Sequence, residues 1–127
     1  MKAALEGARS LPFPFTLTAR AENHIRGNPD LDDTIARLQA YEAAGADVLY
    51  APGLKDVDEI RTVCDAVTKP VNVHSRPNLT ASEIFDAGAQ RISVGGALTW
   101  VVADALTEAA KAILDGDLSS LDKSSPF

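Results

Sequence analysis

The chain has 127 residues, of which 46% are hydrophobic and 24% are charged, so it is long enough for one globular core and too short for two. Its net charge of −6 argues against nucleic acid and against an anionic membrane as partners, but it permits a local basic pocket for a small anion. The single cysteine, Cys64, excludes an internal disulfide and a multi-cysteine zinc site. Because the chain has neither a signal-like start nor an apolar run of roughly 20 residues, the sequence predicts a cytoplasmic protein.

The N-terminal third of the chain predicts a leading helix, a strand and a second helix. Residues 1–14 contain helix formers that end in a proline-rich lead-in, and proline favours extended geometry in the residues before it, so a strand is expected at 15–20. A turn-rich loop follows, in which Asp30 or Asp32 is the expected N-cap of the next helix. That helix ends at Gly45, as a glycine suits the position just after a helix.

The same strand-and-helix unit then repeats three more times. The apolar runs predict strands at 47–51, 70–74 and 91–94, each followed by a helical pattern. The final helix, 97–114, is the longest, and a polar tail follows at 115–127. Strands that alternate with helices indicate right-handed crossovers and a parallel sheet, so the fold class is α/β, in a single domain.

Two architectures accommodate four such units. They are half of the eight units that make a TIM barrel, and they also suit a doubly wound sheet of four strands. Periodicity alone does not separate the two. In a half-barrel, the positions expected to face the interior are Leu17, Leu49, Asn72 and either Ile92 or Ser93.

Charged residues follow directly on the first predicted strand, at the end where α/β proteins bind ligands. Arg20 is the first candidate for a catalytic residue, and Glu22 comes two residues later. The alternative is that both side chains only solvate the strand end. At the fourth strand, Ser93 and the backbone N–H groups of Gly95 and Gly96 suit a phosphate, although two glycines also serve simply to let a strand and a helix approach closely.

Other polar residues have weaker claims to a function. Asp30, Asp32 and Asp33 lie at a helix start, where capping explains them better than a metal does. Cys64 lies on an apolar helical face, which is typical of a buried cysteine rather than a nucleophile. His24 lies in the loop after the first strand, and only its residue type suggests a catalytic role.

Four segments together carry a resemblance to a known superfamily: TARAEN, AGADVLYAPGL, KPVNV and RISVGGAL. They resemble the C-terminal half of the isocitrate lyase and phosphoenolpyruvate mutase superfamily, in its phosphonomutase-like (carboxyphosphonoenolpyruvate phosphonomutase-like) branch. The similarity extends from about residue 11 to residue 127. It implies that the four strands are strands five to eight of a TIM barrel, so the chain is expected to form a parallel (β/α) half-barrel.

The resemblance also implies a chemistry, which is the magnesium-dependent making or breaking of C–C or P–C bonds in small α-oxo acids or phosphonates. In the family, the arginine in the place of Arg20 binds the substrate carboxylate, and an acidic residue in the place of Glu22 helps to order the site. The predicted partner is therefore a small anionic oxo acid or phosphonate. Together with the residues identified above, the predicted substrate-binding set is Arg20, Glu22, Asn23, Ser93, Gly95 and Gly96, with His74 as a further candidate.

Two positions depart from the pattern of the superfamily. The mutases and lyases have a histidine or glutamate where this chain has Pro52, and the lyases have an asparagine where it has His74. Histidine can act as a general acid or base near neutral pH, and it also often serves as a structural hydrogen bonder. These departures leave the reaction open.

The magnesium ligands of the superfamily lie on its first four strands, so no metal site is predicted in this chain. Two hypotheses of different class follow. In the first, the chain is the C-terminal half of an enzyme and is inactive alone; in the second, it is a non-catalytic α/β remnant that is stabilised by self-association. Because a half-barrel leaves edges uncovered and the final helix is apolar around Trp100, a homo-oligomer is expected in both cases.

Overall fold

A computed structural model of the protein describes residues 1–121. It contains five α-helices, two short 3₁₀ turns and four strands. The helices are α1 (Lys2–Arg9), α2 (Leu31–Ala43), α3 (Val57–Asp65), α4 (Ala81–Asp86) and α5 (Ala97–Leu114); the strands are β1 (Thr18–Arg20), β2 (Val48–Tyr50), β3 (Val71–His74) and β4 (Arg91–Ser93); and the 3₁₀ turns are His24–Arg26 and Ser119–Leu121.

The four strands form one sheet in the order β1-β2-β3-β4, and every neighbouring pair is parallel. This confirms the predicted α/β class and the sequential strand order. Residues 1–93 form one compact unit and the chain from Val94 onward forms a second, and each is described by itself. The expectation of a single domain over 1–127 stays a prediction, and the part of the tail at 122–127 lies outside the described residues.

The first strand begins three residues later than predicted. Leu17 donates its backbone N–H to Asp47 Oδ2 at 2.8 Å, and its carbonyl accepts from the N–H groups of Asp47 and Val48 at 3.0 and 3.2 Å. A carboxylate therefore replaces the strand partner at this point, and the ladder of paired residues starts at Thr18. Arg9 at the end of α1 binds the other oxygen of the same carboxylate at 2.7 Å, which holds α1 beside the start of the sheet.

The helix ends follow from local chemistry. Asp30 is the N-cap of α2, since its Oδ1 accepts from the backbone N–H of Asp33 at 3.0 Å. Thr80 and Glu83 form a capping box at the start of α4. Gly45, the predicted stop of α2, has φ +102°, a conformation that glycine adopts without strain.

The core lies between one face of the sheet and the helices. Alternate strand residues Ala19, Leu49, Val71 and Val73 are buried there. They pack in one cluster with residues of α2, α3 and α4, namely Leu38, Ile60, Val63 and Ile84. Three helices on one face distinguish a half-barrel from a doubly wound sheet, which has helices on both faces.

The predicted set of interior positions was partly wrong. Leu49 is fully buried in the core that the helices cover, Ile92 packs against that same core, and Leu17 precedes β1. Asn72 and Ser93 were predicted correctly, because they lie on the opposite face of the sheet. The error arose because side chains alternate between faces, so the inter-strand register decides the face, and the register is not visible in any one strand.

The face opposite the helices is concave. Arg91 on β4 donates a hydrogen bond from Nη1 to Thr18 Oγ1 on β1 at 3.3 Å, although β2 and β3 lie between these strands. In a flat sheet, three strand spacings would separate β1 and β4 by about 14 Å. Since side chains leave a sheet roughly perpendicular to it, the two meet only because the sheet curves as the wall of a barrel does.

The second unit is dominated by α5. This helix has no buried residue, and its large apolar side chains are exposed, with Trp100 70% and Leu106 70% exposed. None of the helices in the part of the chain that the structure describes has the length and apolar character needed to cross a membrane.

Candidate functional site

The site begins at the carboxyl end of β1 with an arginine held from two sides. Arg20 Nε lies 3.1 Å from Glu22 Oε1, and the Arg20 guanidinium carbon lies 5.4 Å from the centre of the Tyr50 ring. Cation–π contact and the ion pair together restrict the guanidinium. The Arg20 side chain is 45% exposed, so it remains accessible to a ligand.

Glu22 joins two arginines. Its Oε1 faces Arg20, while its Oε2 accepts from Arg26 Nε at 3.0 Å and Nη2 at 2.9 Å. Two guanidinium groups and one carboxylate leave a net positive charge at this strand end. The role of Glu22 in ordering the site stays a prediction.

Asn23 serves its own loop in this structure. Its Nδ2 lies within hydrogen-bond distance of Thr34 Oγ1 at 2.6 Å, Asp30 O at 3.1 Å and Asn28 O at 3.4 Å. Its Oδ1 is buried and has no hydrogen-bond partner within residues 1–121. A direct contact between Asn23 and substrate stays a prediction.

A second group of polar side chains lies on β3 and β4, on the concave face. Asn72, only 2% exposed, donates from Nδ2 to Ser93 Oγ at 3.0 Å, and its buried Oδ1 has no partner among residues 1–121. His74 Nδ1 lies 3.1 Å from the Ser93 carbonyl oxygen, which also accepts from the Ser75 N–H at 2.8 Å. Ser93 on β4 thus contacts the side chains of two β3 residues, Asn72 and His74.

The register relates this group to Arg20. Arg20 is paired with Tyr50, Tyr50 with Asn72, and Asn72 with Arg91, so these four residues form one row across the concave face. His74 and Ser93 are paired with each other one step nearer the carboxyl edge. The structure therefore brings Arg20, Ser93 and His74 to the same face and edge.

Sequence reasoning missed two members of this face, Tyr50 and Arg91. The signal for Arg91 was available, because it lies two residues before Ser93 and the period of a strand is two. Tyr50 could not be found without the pairing of β1 with β2, since its role depends on lying beneath Arg20.

The glycines after β4 belong to the second unit. Gly95 has φ +53°, and Gly96 is the N-cap of α5, with its carbonyl accepting from the N–H groups of Thr99 at 3.0 Å and Trp100 at 3.4 Å. A backbone phosphate site at Gly95 and Gly96 stays a prediction.

The acidic side chains that the structure describes do not form a cluster of metal ligands. Within residues 1–121, no three or more His, Cys, Asp and Glu side chains are grouped so that they could hold a metal ion. Two carboxylates of the acidic cluster have structural partners, since Asp30 caps α2 and Asp33 pairs with Arg37 at 2.7 Å.

The remaining candidates have structural surroundings. Cys64 packs against the core, and burial raises the pKa of its thiol to about 11, with a smaller contribution from the charge of Asp65, which is the behaviour of an inert cysteine. His24 is 9% exposed, and neither of its ring nitrogens has a partner in the described part of the chain.

Comparison with known proteins identifies the family. The sequence profile of the phosphoenolpyruvate phosphomutase family matches residues 1–114. The chain belongs to this family. The resemblance predicted from the four motifs is confirmed.

Individual relatives agree with the assignment. An oxaloacetate decarboxylase of Bradyrhizobium diazoefficiens is 35% identical over 119 residues, which are 91% of this chain and 40% of that enzyme. A Burkholderia cenocepacia protein of solved structure, proposed to be a lyase or mutase, is 50% identical with a TM-score of 0.90 over 98% of this chain and 46% of the other. The fold also matches 2,3-dimethylmalate lyase, a member of the PEP mutase/isocitrate lyase superfamily, with a TM-score of 0.82 at 23% identity over 98% of this chain and 46% of the other. The chain thus spans less than half the length of each of these relatives.

Proposed function

We propose that this chain forms the carboxyl half of the barrel of a lyase or mutase that acts on a C–C or P–C bond of a small α-oxo acid or phosphonate, and that Arg20 binds the carboxylate of this substrate. The observation that carries the proposal is the half-exposed guanidinium at the carboxyl end of β1, held by Glu22 and stacked over Tyr50. Ligands bind at this end of the strands in barrel enzymes.

The geometry of Arg20 suits a carboxylate. The ion pair with Glu22 engages Nε, so the two Nη groups remain available for the paired hydrogen bonds that a guanidinium makes to a carboxylate or a phosphonate. Glu22 shares its charge with Arg26, which keeps the strand end positive. A guanidinium also retains its charge throughout the physiological pH range.

The relatives support the substrate class. One of them is an oxaloacetate decarboxylase, and oxaloacetate is a small α-oxo acid. Because the described residues contain no cluster of three or more metal-ligating side chains, the proposal assigns substrate binding to this chain and assigns it no step that involves the metal.

The alternative is a non-catalytic α/β protein that is stabilised by self-association. The observation in its favour is α5, whose apolar side chains Trp100, Val101, Val102 and Leu106 are each more than 60% exposed. This alternative predicts association but no specific binding of an acid at Arg20.

Titration calorimetry with oxalate separates the two proposals. The 127-residue chain is compared with Arg20→Ala and with Arg37→Ala, a matched control that also removes one exposed, ion-paired arginine. A charge-assisted hydrogen bond contributes about 1.5–3 kcal/mol, so Arg20→Ala should weaken oxalate binding by about tenfold or more. Arg37→Ala should leave it unchanged. Equal binding by all three proteins would remove Arg20 from its role, and binding by none would favour the non-catalytic alternative.

A further inference from the structure

His74 is the one imidazole of the concave face, and its hydrogen bond fixes its chemistry. Nδ1 lies 3.1 Å from the backbone carbonyl oxygen of Ser93. A carbonyl oxygen can only accept a hydrogen bond, so Nδ1 must carry the proton and donate it. In the neutral ring the other nitrogen, Nε2, then holds a lone pair and is an acceptor.

This tautomer is held firmly. The Ser93 carbonyl belongs to the backbone of β4 and also accepts from the Ser75 N–H at 2.8 Å, which uses both of its lone-pair directions. The Ser93 side chain is fixed by Asn72 Nδ2 at 3.0 Å. Because β3 and β4 are paired at His74 and Ser93, the imidazole cannot turn over without losing its bond to a fixed partner.

Nε2 remains available to a ligand. His74 is half-buried, and its Nε2, unlike both nitrogens of His24, is not among the buried unpartnered atoms within residues 1–121. The only hydrogen bond of the ring to those residues is the one from Nδ1.

Arg20 and His74 are placed to bind one small molecule. They lie on the same face of the sheet, on strands separated only by β2, a distance of about 10 Å between backbones. The Arg20 guanidinium lies over the ring of Tyr50 on that intervening strand. The Arg20 guanidinium also pairs with Glu22, which lies two residues beyond Arg20 toward the carboxyl edge of the sheet. On β3, Asn72 is in the same row as Arg20, and His74 lies two residues beyond Asn72 in the same direction.

We propose that His74 is a specificity-determining residue of this site, whose Nε2 accepts a hydrogen bond from a hydroxyl group of the acid that Arg20 binds. A carboxylate or an oxo group has no proton to donate, so it cannot satisfy Nε2. Within the proposed substrate class, an acid with a hydroxyl group close to its carboxylate should therefore bind more tightly than one without it. The same lone pair would serve as a general base for that hydroxyl proton. This inference rests on the proposed role of Arg20.

The first test is the tautomer itself. Nitrogen-15 NMR of the imidazole rings distinguishes a protonated ring nitrogen from one with a lone pair. The chain has only two histidines, so a His74→Phe variant identifies the signals of His74 by their loss. We expect a proton on Nδ1 in the free protein, and a proton on Nε2 would overturn the proposal.

The second test compares two achiral acids, tartronate and malonate, which differ by one hydroxyl group. Calorimetry on the wild-type chain should show tartronate binding about threefold to tenfold more tightly, the contribution of one hydrogen bond. In His74→Phe the preference for tartronate over malonate should be lost. In His74→Gln, whose side-chain oxygen is again an acceptor, part of the preference should return.

The outcomes separate this inference from the proposed function. If malonate binding depends on Arg20 but the preference for tartronate is absent or survives in His74→Phe, the role of His74 is wrong and that of Arg20 stands. If His74→Phe weakens malonate and tartronate alike, His74 binds the anion rather than the hydroxyl, which also overturns the proposal. If neither acid binds to the wild-type chain, both proposals fail.

Discussion

Replacement of Gly88 by alanine tests how tightly α3 and α4 are packed. Gly88 follows α4 with φ +101°, and a Cβ added to it would lie 3.0 Å from Cys64 Cβ on α3. Carbon atoms in contact normally lie about 3.5–4.0 Å apart, and a Cβ cannot move away by changing a rotamer. The backbone of α3 or of the turn must therefore shift.

The cost has two parts that a matched control separates. An alanine in the left-handed region costs about 1–2 kcal/mol, and overpacking a core contact adds about 1–3 kcal/mol. Gly27 has a similar φ of +88°, but an added Cβ there would meet nothing within 4 Å. Gly27→Ala should therefore show only the first part, and the change in unfolded-state entropy is the same in both variants.

Urea unfolding followed by circular dichroism measures the difference. We expect Gly88→Ala to lower the free energy of unfolding by about 1–3 kcal/mol more than Gly27→Ala does, with similar slopes against urea concentration. Equal destabilisation by the two variants would show that α3 and the turn after α4 yield freely, and it would refute the close packing of Gly88 against Cys64.

Three further predictions concern titration and association. The hydrogen bonds from Arg9 and from the Leu17 N–H lower the pKa of Asp47. This carboxylate therefore contributes its full stabilisation above the ordinary aspartate pKa of about 4, and the contribution is lost as pH falls through the lowered pKa. Asp47→Ala should lower the urea midpoint more at pH 7 than at pH 2, and equal losses at the two pH values would contradict this. Because burial raises the pKa of the Cys64 thiol to about 11, a thiol reagent at pH 8 should label the folded chain far more slowly than the urea-unfolded chain, and equal rates would show that the thiol is accessible. We also propose that the exposed apolar face of α5 mediates self-association, so light scattering should give a dimer or larger at micromolar concentration and a smaller species for Trp100→Ala, whereas a wild-type monomer would exclude it.

Much of the fold could be predicted from the sequence because its signals are local. The four βα units follow from alternating periods of apolar residues, and the structure has strands and helices at each predicted place. The Asp30 cap and the stop at Gly45 depend only on neighbouring residues. Arg20 could be placed at a strand end for the same reason, since the boundary between an apolar run and a charged one is visible in the sequence.

The sequence by itself therefore determined the element order, the parallel α/β class, the family and the position of Arg20. Only the tertiary structure decided that Leu49 faces the helices, that Tyr50 lies beneath Arg20 and that Arg91 reaches Thr18 across a curved sheet. It also decided that His74 Nδ1 lies beside the backbone carbonyl oxygen of Ser93. The physical reason is common to these features: each depends on the register between strands that are distant in the chain, and a shift of one residue would turn every side chain of a strand to the other face.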